Sequence, residues 1–383
     1  MPWQVQAFDQ LEESDLQRMM AFLRRFMAPE ADPAWSIESF RWKLGESNPA
    51  GRGFLTCAMV NDEVIGVTSV TSKRLWFRRQ VIRGAEIGDT FTHPAFLRKG
   101  NRRERILSPH ISPEEQRAAY VRHSVFGRLV SETRMRALKA GVRLVYGTPN
   151  MSSLRGYEKR LQFLSHPTHR NHTFVRPTVR GLSKRYAIGQ MLAWPLRGGE
   201  WFFDRLTACR LACDVRGRYT VERFEHASSE FDELWDRVRE QREFALVRDR
   251  AYVHHRFFAS PIAAYRVYGA RVDGQLCGMM VSRIVTRPGG KRYCYIADWV
   301  IDERQPHLFA WLVTHTLLDH DRTDIDAYHL WCGPQRQRHT VLRWLGFVPT
   351  SSSPVIFFQN DDGNAVMQEC PVLDFTLASS DNV

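Results

Sequence analysis

One order of elements occurs twice in this sequence, and nothing else in it constrains the fold as strongly. Residues 5–8 read as a strand, 13–27 and 37–44 as helices with apolar residues three and four apart (Leu16, Met19, Met20, Leu23), and 54–60, 64–75 and 79–92 as strands. Residues 124–140 return to helical spacing and stop at Gly141, 142–146 form a short apolar strand, and 150–161 are helical again. At residue 219 the series restarts: strand 219–224, helices 228–241 and 249–258, strands 264–271, 275–286 and 291–301, helix 306–320, strand 327–332 and helix 335–345. Three strands in a row predict an antiparallel meander, and the strand–helix–strand that follows predicts a parallel crossover, so each sheet is mixed. A chain of 383 residues exceeds what one core usually organises. The expectation is therefore an α/β protein of two tandem domains, each a mixed, mostly antiparallel sheet flanked by helices. Residues 1–175 form the first domain, with an insertion at 101–123, and 218–360 the second. The stretch 165–217, interrupted by Pro167, Pro177, Pro195 and Gly198-Gly199, reads as connector, set at 176–217 and holding a helix near 202–213, and residues 361–383 read as an acidic tail, solvated or loosely docked.

Composition narrows the function. Apolar residues at 43% and charged residues at 25% exclude wholesale disorder and low-complexity polymers. No run of about 18 uncharged apolar residues occurs, and the first residues have neither the basic nor the apolar region of a secretory signal, which predicts a cytoplasmic protein without a membrane span. Seven cysteines at 57, 209, 213, 277, 294, 332 and 370 make no paired spacing and read as free thiols. The net charge of +12 favours a polyanionic partner: a phosphorylated cofactor, nucleic acid or an anionic membrane surface. Histidines 166, 169 and 172 lie among prolines and 315 and 320 are five apart, so no metal site is expected; the glycines make no dinucleotide or nucleotide-triphosphate motif.

Chemistry concentrates in residues 142–163. An apolar strand is stopped by Gly147-Thr148-Pro149, Asn150 caps a helix, and Tyr157 follows seven residues, about two turns, later, so both can present to one cleft. With the ending Tyr157-Glu158-Lys159-Arg160-Leu161-Gln162-Phe163, this segment resembles the closing motif of the GNAT superfamily of acyl-coenzyme A N-acyltransferases, and more narrowly the tandem GNAT proteins; Gln162 stands where the family has glycine. Thr92-His93-Pro94 is similar to the end of the family's fourth strand, after which a glycine-rich turn and a helix N-terminus bind the pyrophosphate of coenzyme A. Backbone N–H groups at a helix start favour an anion without any particular side chain. This chain departs there. Phe96-Leu97-Arg98-Lys99-Gly100 is followed by the insertion, whose segment 97–106 carries Arg98, Lys99, Arg102, Arg103 and Arg105 against Glu104, and whose Ser112-Pro113-Glu114-Glu115 predicts a short helix. The insertion reads equally as a clamp on the cofactor's phosphates or a lid over the acceptor and as a solvated surface excursion.

The resemblance implies two tandem GNAT-like domains and transfer of an acetyl or other short acyl group from coenzyme A to an amine of a small metabolite, such as an amino sugar or amino-acid derivative. It implies Glu86 as the general base, Asp89 as a second candidate on the opposite face unless a bulge resets the alternation, and Tyr157 as the acid for the departing thiolate. The bland alternatives are a strand-edge ion pair for Glu86 and a packed helix tyrosine. Cofactor contacts would come from Phe91, Thr92, Arg98, Lys99, Gly100, Ser124, Val125, Phe126 and Gly127, and from Asn150, which also reads as a plain helix cap. In the second half Trp344-Leu345-Gly346-Phe347 matches the ending, but Val341 and Leu342 lie where the tyrosine belongs and Asp302-Glu303 where phosphates would sit, so that half reads as a degenerate copy without cofactor. Arg248, Asp249, Arg256 and Asp298 are candidate acceptor contacts or members of a domain-interface ion-pair network. The rivals are an aminoacyl-tRNA-dependent transferase, which also pairs two GNAT-like domains, and a non-catalytic RNA-binding or scaffold protein; 97–106 has no aromatic residue to stack on bases, which counts against both.

Overall fold

The structure is a computed structural model that describes residues 3–26, 35–96, 112–186, 190–214, 218–287, 289–320 and 324–380. It divides into two units: Met1–Pro167 with Ser353–Pro371, and Thr168–Ser352 with Val372–Val383. Thirteen strands are described: β1 Gln4–Ala7, β2 Phe54–Val60, β3 Glu63–Phe77, β4 Gln80–Thr92, β5 Leu144–Gly147, β6 Phe163–Pro177, β7 Tyr219–Phe224, β8 Phe244–Leu246, β9 Arg266–Val272, β10 Gln275–Arg287, β11 Lys291–Ile301, β12 Ala327–Cys332 and β13 Val348–Phe358.

The first unit's sheet runs β1-β2-β3-β4-β5-β13, antiparallel except for β4–β5. The second runs β7-β9-β10-β11-β12-β6, antiparallel except for β11–β12. The meanders close through two-residue turns with both residues left-handed: Asn61-Asp62, Arg78-Arg79 and Asp273-Gly274. Such turns match the twist of the strands they join, and Asn, Asp and Gly adopt them at least cost.

Helices Glu13–Phe26 and Ile37–Leu44 cover one face of the first sheet, packing Leu16, Met20, Phe40 and Leu44 on Leu55, Cys57 and Val67. Helices Val125–Lys139 and Met151–Arg160 cover the other, where Val130, Ala137 and Leu154 meet Val70, Ile87 and Val145. Val67 and Val70 lie on opposite faces of β3, as a period of two requires. Ser112 starts helix Pro113–His123 with a capping box to Glu115, as its sequence predicts.

Two expectations are corrected. The stretch expected to begin the connector is instead the end of β6, which pairs with β12, and is followed by helices Val179–Tyr186 and Gln190–Asp214; Pro167 and Pro177 sit inside or at the end of a strand they were expected to exclude. Nor is the tail solvated. Asp361–Glu369 is helical, Asp362 pairs with Arg143 and Glu369 with Arg78 in the first unit, and residues 373–380 are buried in the second. Each unit thereby takes its sixth strand from outside its own run of the repeat: β13 completes the first and β6 the second.

Candidate active site

Four of the candidate residues, Glu86, Asp89, Phe91 and Thr92, lie on β4. Its ladder with β3 is regular from 80 to 88, opposite 77 to 69, and resumes with Phe91 opposite Val67. Asp89 and Thr90 together face the single residue Thr68, and Asp89 has φ +45°. This is a bulge, the device that turns a side chain out of strict alternation. On its other side β4 pairs with β5 only over 84–86 against 144–146, yet it runs on to Thr92. A Cβ at Gly147 would lie 3.1 Å from Ile87 Cγ2, whereas a Cβ at Gly88 would meet nothing within 4 Å. Past Glu86 and Tyr146 the two parallel strands share no ladder pairs and β4 runs on alone, with free space above Gly88; this end of the ladder forms a shallow opening.

The opening has polar groups on both faces. Thr71 stands opposite Glu86 and Ser69 opposite Gly88, so these residues share one face. There Glu86 is buried; Thr148 Oγ1 donates to its Oε1 (3.4 Å), and Lys73 Nζ lies 3.6 Å from Oε2. Since Thr148 directly follows β5, the Glu86 carboxylate reaches the rim of the opening. Ser69 Oγ donates to Asp89 Oδ2 at 2.6 Å, and Lys43 pairs with the same carboxylate. The bulge therefore returns Asp89 to the face of Glu86.

On the opposite face Tyr157 OH lies 3.1 Å from Thr90 Oγ1, which lies 2.6 Å from Thr68 Oγ1. Phe126 and Phe163 stand edge-on to the Tyr157 ring at 5.3 and 5.2 Å. The ring is 4% exposed, and burial pushes its phenol up to about 12, against the opposing pull of the Thr90 hydrogen bond. A buried phenol whose hydroxyl is held at the bulge remains neutral and keeps its proton.

The helix that starts at Val125 is set close to this face. Gly66 admits it: a Cβ there would lie 2.9 Å from Leu129 and 3.0 Å from Val125. Ser124 Oγ accepts from Gly127 N at 3.2 Å, and Gly127 rests against Tyr120 of the preceding helix. Thr92 Oγ1 is buried without a hydrogen-bond partner. Phe91 turns away, its ring 5.6 Å from Phe22 and 6.1 Å from Phe26, within the core of the carboxylate face. Asn150 is exposed and its Oδ1 accepts from Ser152 N and Ser153 N at 3.1 and 2.9 Å, so its oxygen is committed to capping. Arg98, Lys99 and Gly100 lie outside the described residues.

The four candidates in the second unit belong to a different arrangement. Arg248 Nε donates to both oxygens of Asp298 at 2.9 and 3.1 Å, and neither side chain has exposed surface. Tyr252 OH and Thr376 Oγ1 donate to the same carboxylate at 3.0 and 2.7 Å. Arg248 Nη2 and Arg256 Nη2 hold the carbonyl oxygens of Asp374 and Ser380, and Asp249 caps the helix that starts at Arg250. Burial opposes ionisation of Asp374, but Arg242, Arg248 and Arg338 together hold its carboxyl below the usual range. An ion pair without exposed surface has no face left for an acceptor; this network fastens residues 374–380.

Lys43, Lys73, Thr68, Thr90 and Thr148 were not singled out from the sequence. A signal for one of them was present: Ser69, Thr71 and Lys73 form a polar row at period two in an otherwise apolar strand. Among the described residues no three His, Cys, Asp or Glu side chains gather in a way that could hold a metal ion.

No protein-family model matches the sequence, and no curated protein matches it significantly. Solved structures do resemble the fold. A tandem GNAT protein from the clavulanic acid biosynthesis pathway is 12% identical, with 93% of this chain and 98% of that one covered and a TM-score of 0.57. N-myristoyltransferase of Saccharomyces cerevisiae is 12% identical over 94% of this chain and 84% of that one, at a TM-score of 0.59. A GCN5-related N-acetyltransferase from Anabaena variabilis is 12% identical over 93% and 72%, at 0.56. The chain thus has the tandem GNAT fold that its order of elements and closing motifs predict.

Proposed function

We propose that the protein is an acyl-coenzyme A-dependent N-acyltransferase whose first unit carries the reaction, moving an acetyl or similarly short acyl group to the amine of a small metabolite. One observation carries the reading: β4 runs on past its ladder with β5, with a buried phenol on one face of the opening and a carboxylate on the other. The residues suit the cofactor, because Gly88 leaves space at the opening and Thr92 Oγ1 is a buried polar atom without a partner. The main chain of 88–92 and the start of helix Val125–Lys139 would hold it, and when bound it supplies an acyl thioester activated toward amines.

Glu86 takes the proton of the incoming ammonium, and Lys73 and Thr148 orient its carboxylate at the rim. Asp89, fixed by Ser69 and Lys43, shapes the bulge as a positioning residue. Tyr157 keeps its proton at the phenolic oxygen, aimed by Thr90, for a leaving sulfur. With that phenol pushed up to about 12 by burial, it stays a donor throughout the neutral and mildly alkaline range. Any fall in rate between about pH 8 and 10 should therefore survive Tyr157→Phe, since neither side chain titrates there at this site; loss of that limb in the variant would show the phenol titrating in this range and overturn its upward shift, whereas an unchanged rate would remove Tyr157 as the acid.

The direct test is thermal unfolding with acetyl-coenzyme A and with tRNA. A ligand that binds the folded state raises the melting temperature as its excess over Kd grows. A shift with acetyl-coenzyme A, followed by release of free thiol when amines are added, is the expected result. A salt-sensitive shift with tRNA alone would overturn the reading in favour of an aminoacyl-tRNA-dependent enzyme.

A further inference from the structure

Helix Gln190–Asp214 is built inside out. Its inward stripe is Ala193, Glu200, Asp204, Thr207 and Leu211, packed toward helices Val179–Tyr186 and Leu308–Asp319. The stripe is held by polar contacts: Arg176 Nη2 donates to Asp204 Oδ1 at 2.7 Å in a buried pair, and Val179 N donates to Glu200 Oε2 at 3.1 Å. Outward it presents Trp194 (80% exposed), Leu196 (50%), Trp201 (56%), Phe202 (62%) and Leu206 (56%). A surface helix normally buries such residues and exposes its charges. Contiguous exposed aromatic and aliphatic side chains mark a surface that something else covers.

The charge among them identifies the cover. Arg197, Arg205 and Arg210 are exposed on this helix and Arg185 just before it, whereas Asp214 is the helix's one exposed carboxylate. The Arg205 guanidinium lies 5.5 Å from the centre of the Trp201 ring. Trp, Phe and Leu on one face with arginines between them is the pattern of a helix lying in a lipid interface, apolar rings among the acyl chains and guanidinium groups at anionic head groups. A second copy of the chain fits less well, because a twofold contact would set these arginines against themselves. Among the described residues no helix is long and apolar enough to cross a membrane, so contact would be peripheral. We propose that helix Gln190–Asp214 docks the protein on an anionic lipid surface, independently of the reaction in the first unit.

Co-sedimentation with vesicles tests this. The full chain should pellet with phosphatidylcholine vesicles containing about 25% phosphatidylglycerol and be released at about 0.5 M salt. With pure phosphatidylcholine it should remain in the supernatant. Trp201→Glu with Phe202→Glu, and separately Arg197→Glu with Arg205→Glu, should each lower binding about tenfold or more while leaving the melting temperature unchanged, since all four residues are exposed. Two different exposed pairs guard against a variant that fails to fold. Binding that survives both variants, equal binding to neutral vesicles, or no binding at all would overturn the proposal. A dimer in light scattering that Trp201→Glu dissociates, without vesicle binding, would assign the face to a second copy instead.

Discussion

In the first unit β4 leaves β5 after Glu86 and Gly88 faces open space. In the second, β11 runs parallel to β12 over 293–296 and its ladder with β10 shifts between Val281 and Ser282, the counterpart of the shift in the first. There the likeness ends. The short helix Leu377–Ser379 packs on β11, Thr376 donates to Asp298, and Arg248 ties that carboxylate to the main chain of Asp374. Gln335 starts the following helix without a side-chain cap, and Val341 and Leu342 stand where Tyr157 stands in the first. The same ladder thus has a phenol and a carboxylate beside its open end in one unit and is covered by residues 374–379 in the other. Polar groups are bound to the protein in both units; what differs is that Thr376 reaches the Asp298 carboxylate in the second, whereas the position above Gly88 in the first has no neighbour within 4 Å.

Substitutions can break this contrast. The largest effect should come from Glu86→Gln, which lowers kcat about 10²–10⁴-fold and removes the acidic limb of the pH–rate profile; retention of that limb would shift the role to Asp89 or to a water. Asp298→Asn should do the reverse, leaving kcat intact but costing about 3–5 kcal/mol of stability in denaturant titration, because it strands the buried Arg248 charge. If it instead abolished activity at unchanged stability, the second unit would have a part in the reaction. Tyr157→Phe should lower kcat about 100-fold with KM for acyl-coenzyme A little changed and a loss of about 1 kcal/mol for the Thr90 hydrogen bond. The smallest test compares the helix ends. Gln162 sits at φ +59° and Gly346 at φ +83°, with Arg176 Nε 3.2 Å from a Cβ placed on the latter. Gln162→Gly should raise stability by about 0.5–1 kcal/mol and Gly346→Ala lower it by about 1–2 kcal/mol, read as shifts in denaturation midpoint.

The sequence disclosed the repeated series with near-correct bounds, because each of those elements carries its own periodicity: helix Ile37–Leu44 and strands Phe54–Val60 and Ala327–Cys332 agree at both ends. Strand β6 was hidden because its inward residues include His166, His169 and Asn171, which no apolar pattern reveals, and because prolines flank it. His169 is satisfied by Leu373 N, far along the chain, a pairing with no local sign. The acids of the tail were legible as charge, but their arginines lie hundreds of residues earlier. Within the site, Glu86 and Tyr157 follow from motif spacing, whereas the place of Asp89 hinges on one bulged residue that alternation alone leaves open. Arg248 and Asp298 look like any charged pair until burial shows them shut inside.

The way each unit borrows its last strand reaches into how the protein comes into being. Ile356 meets Gly147 beside the opening, and the second unit's lock is forged from residues near 380. During synthesis the first unit's sheet must wait, one rib short, until residues 348–358 have left the ribosome. A stop codon before Val348 would then leave that sheet incomplete, although its other five strands are all encoded before residue 148.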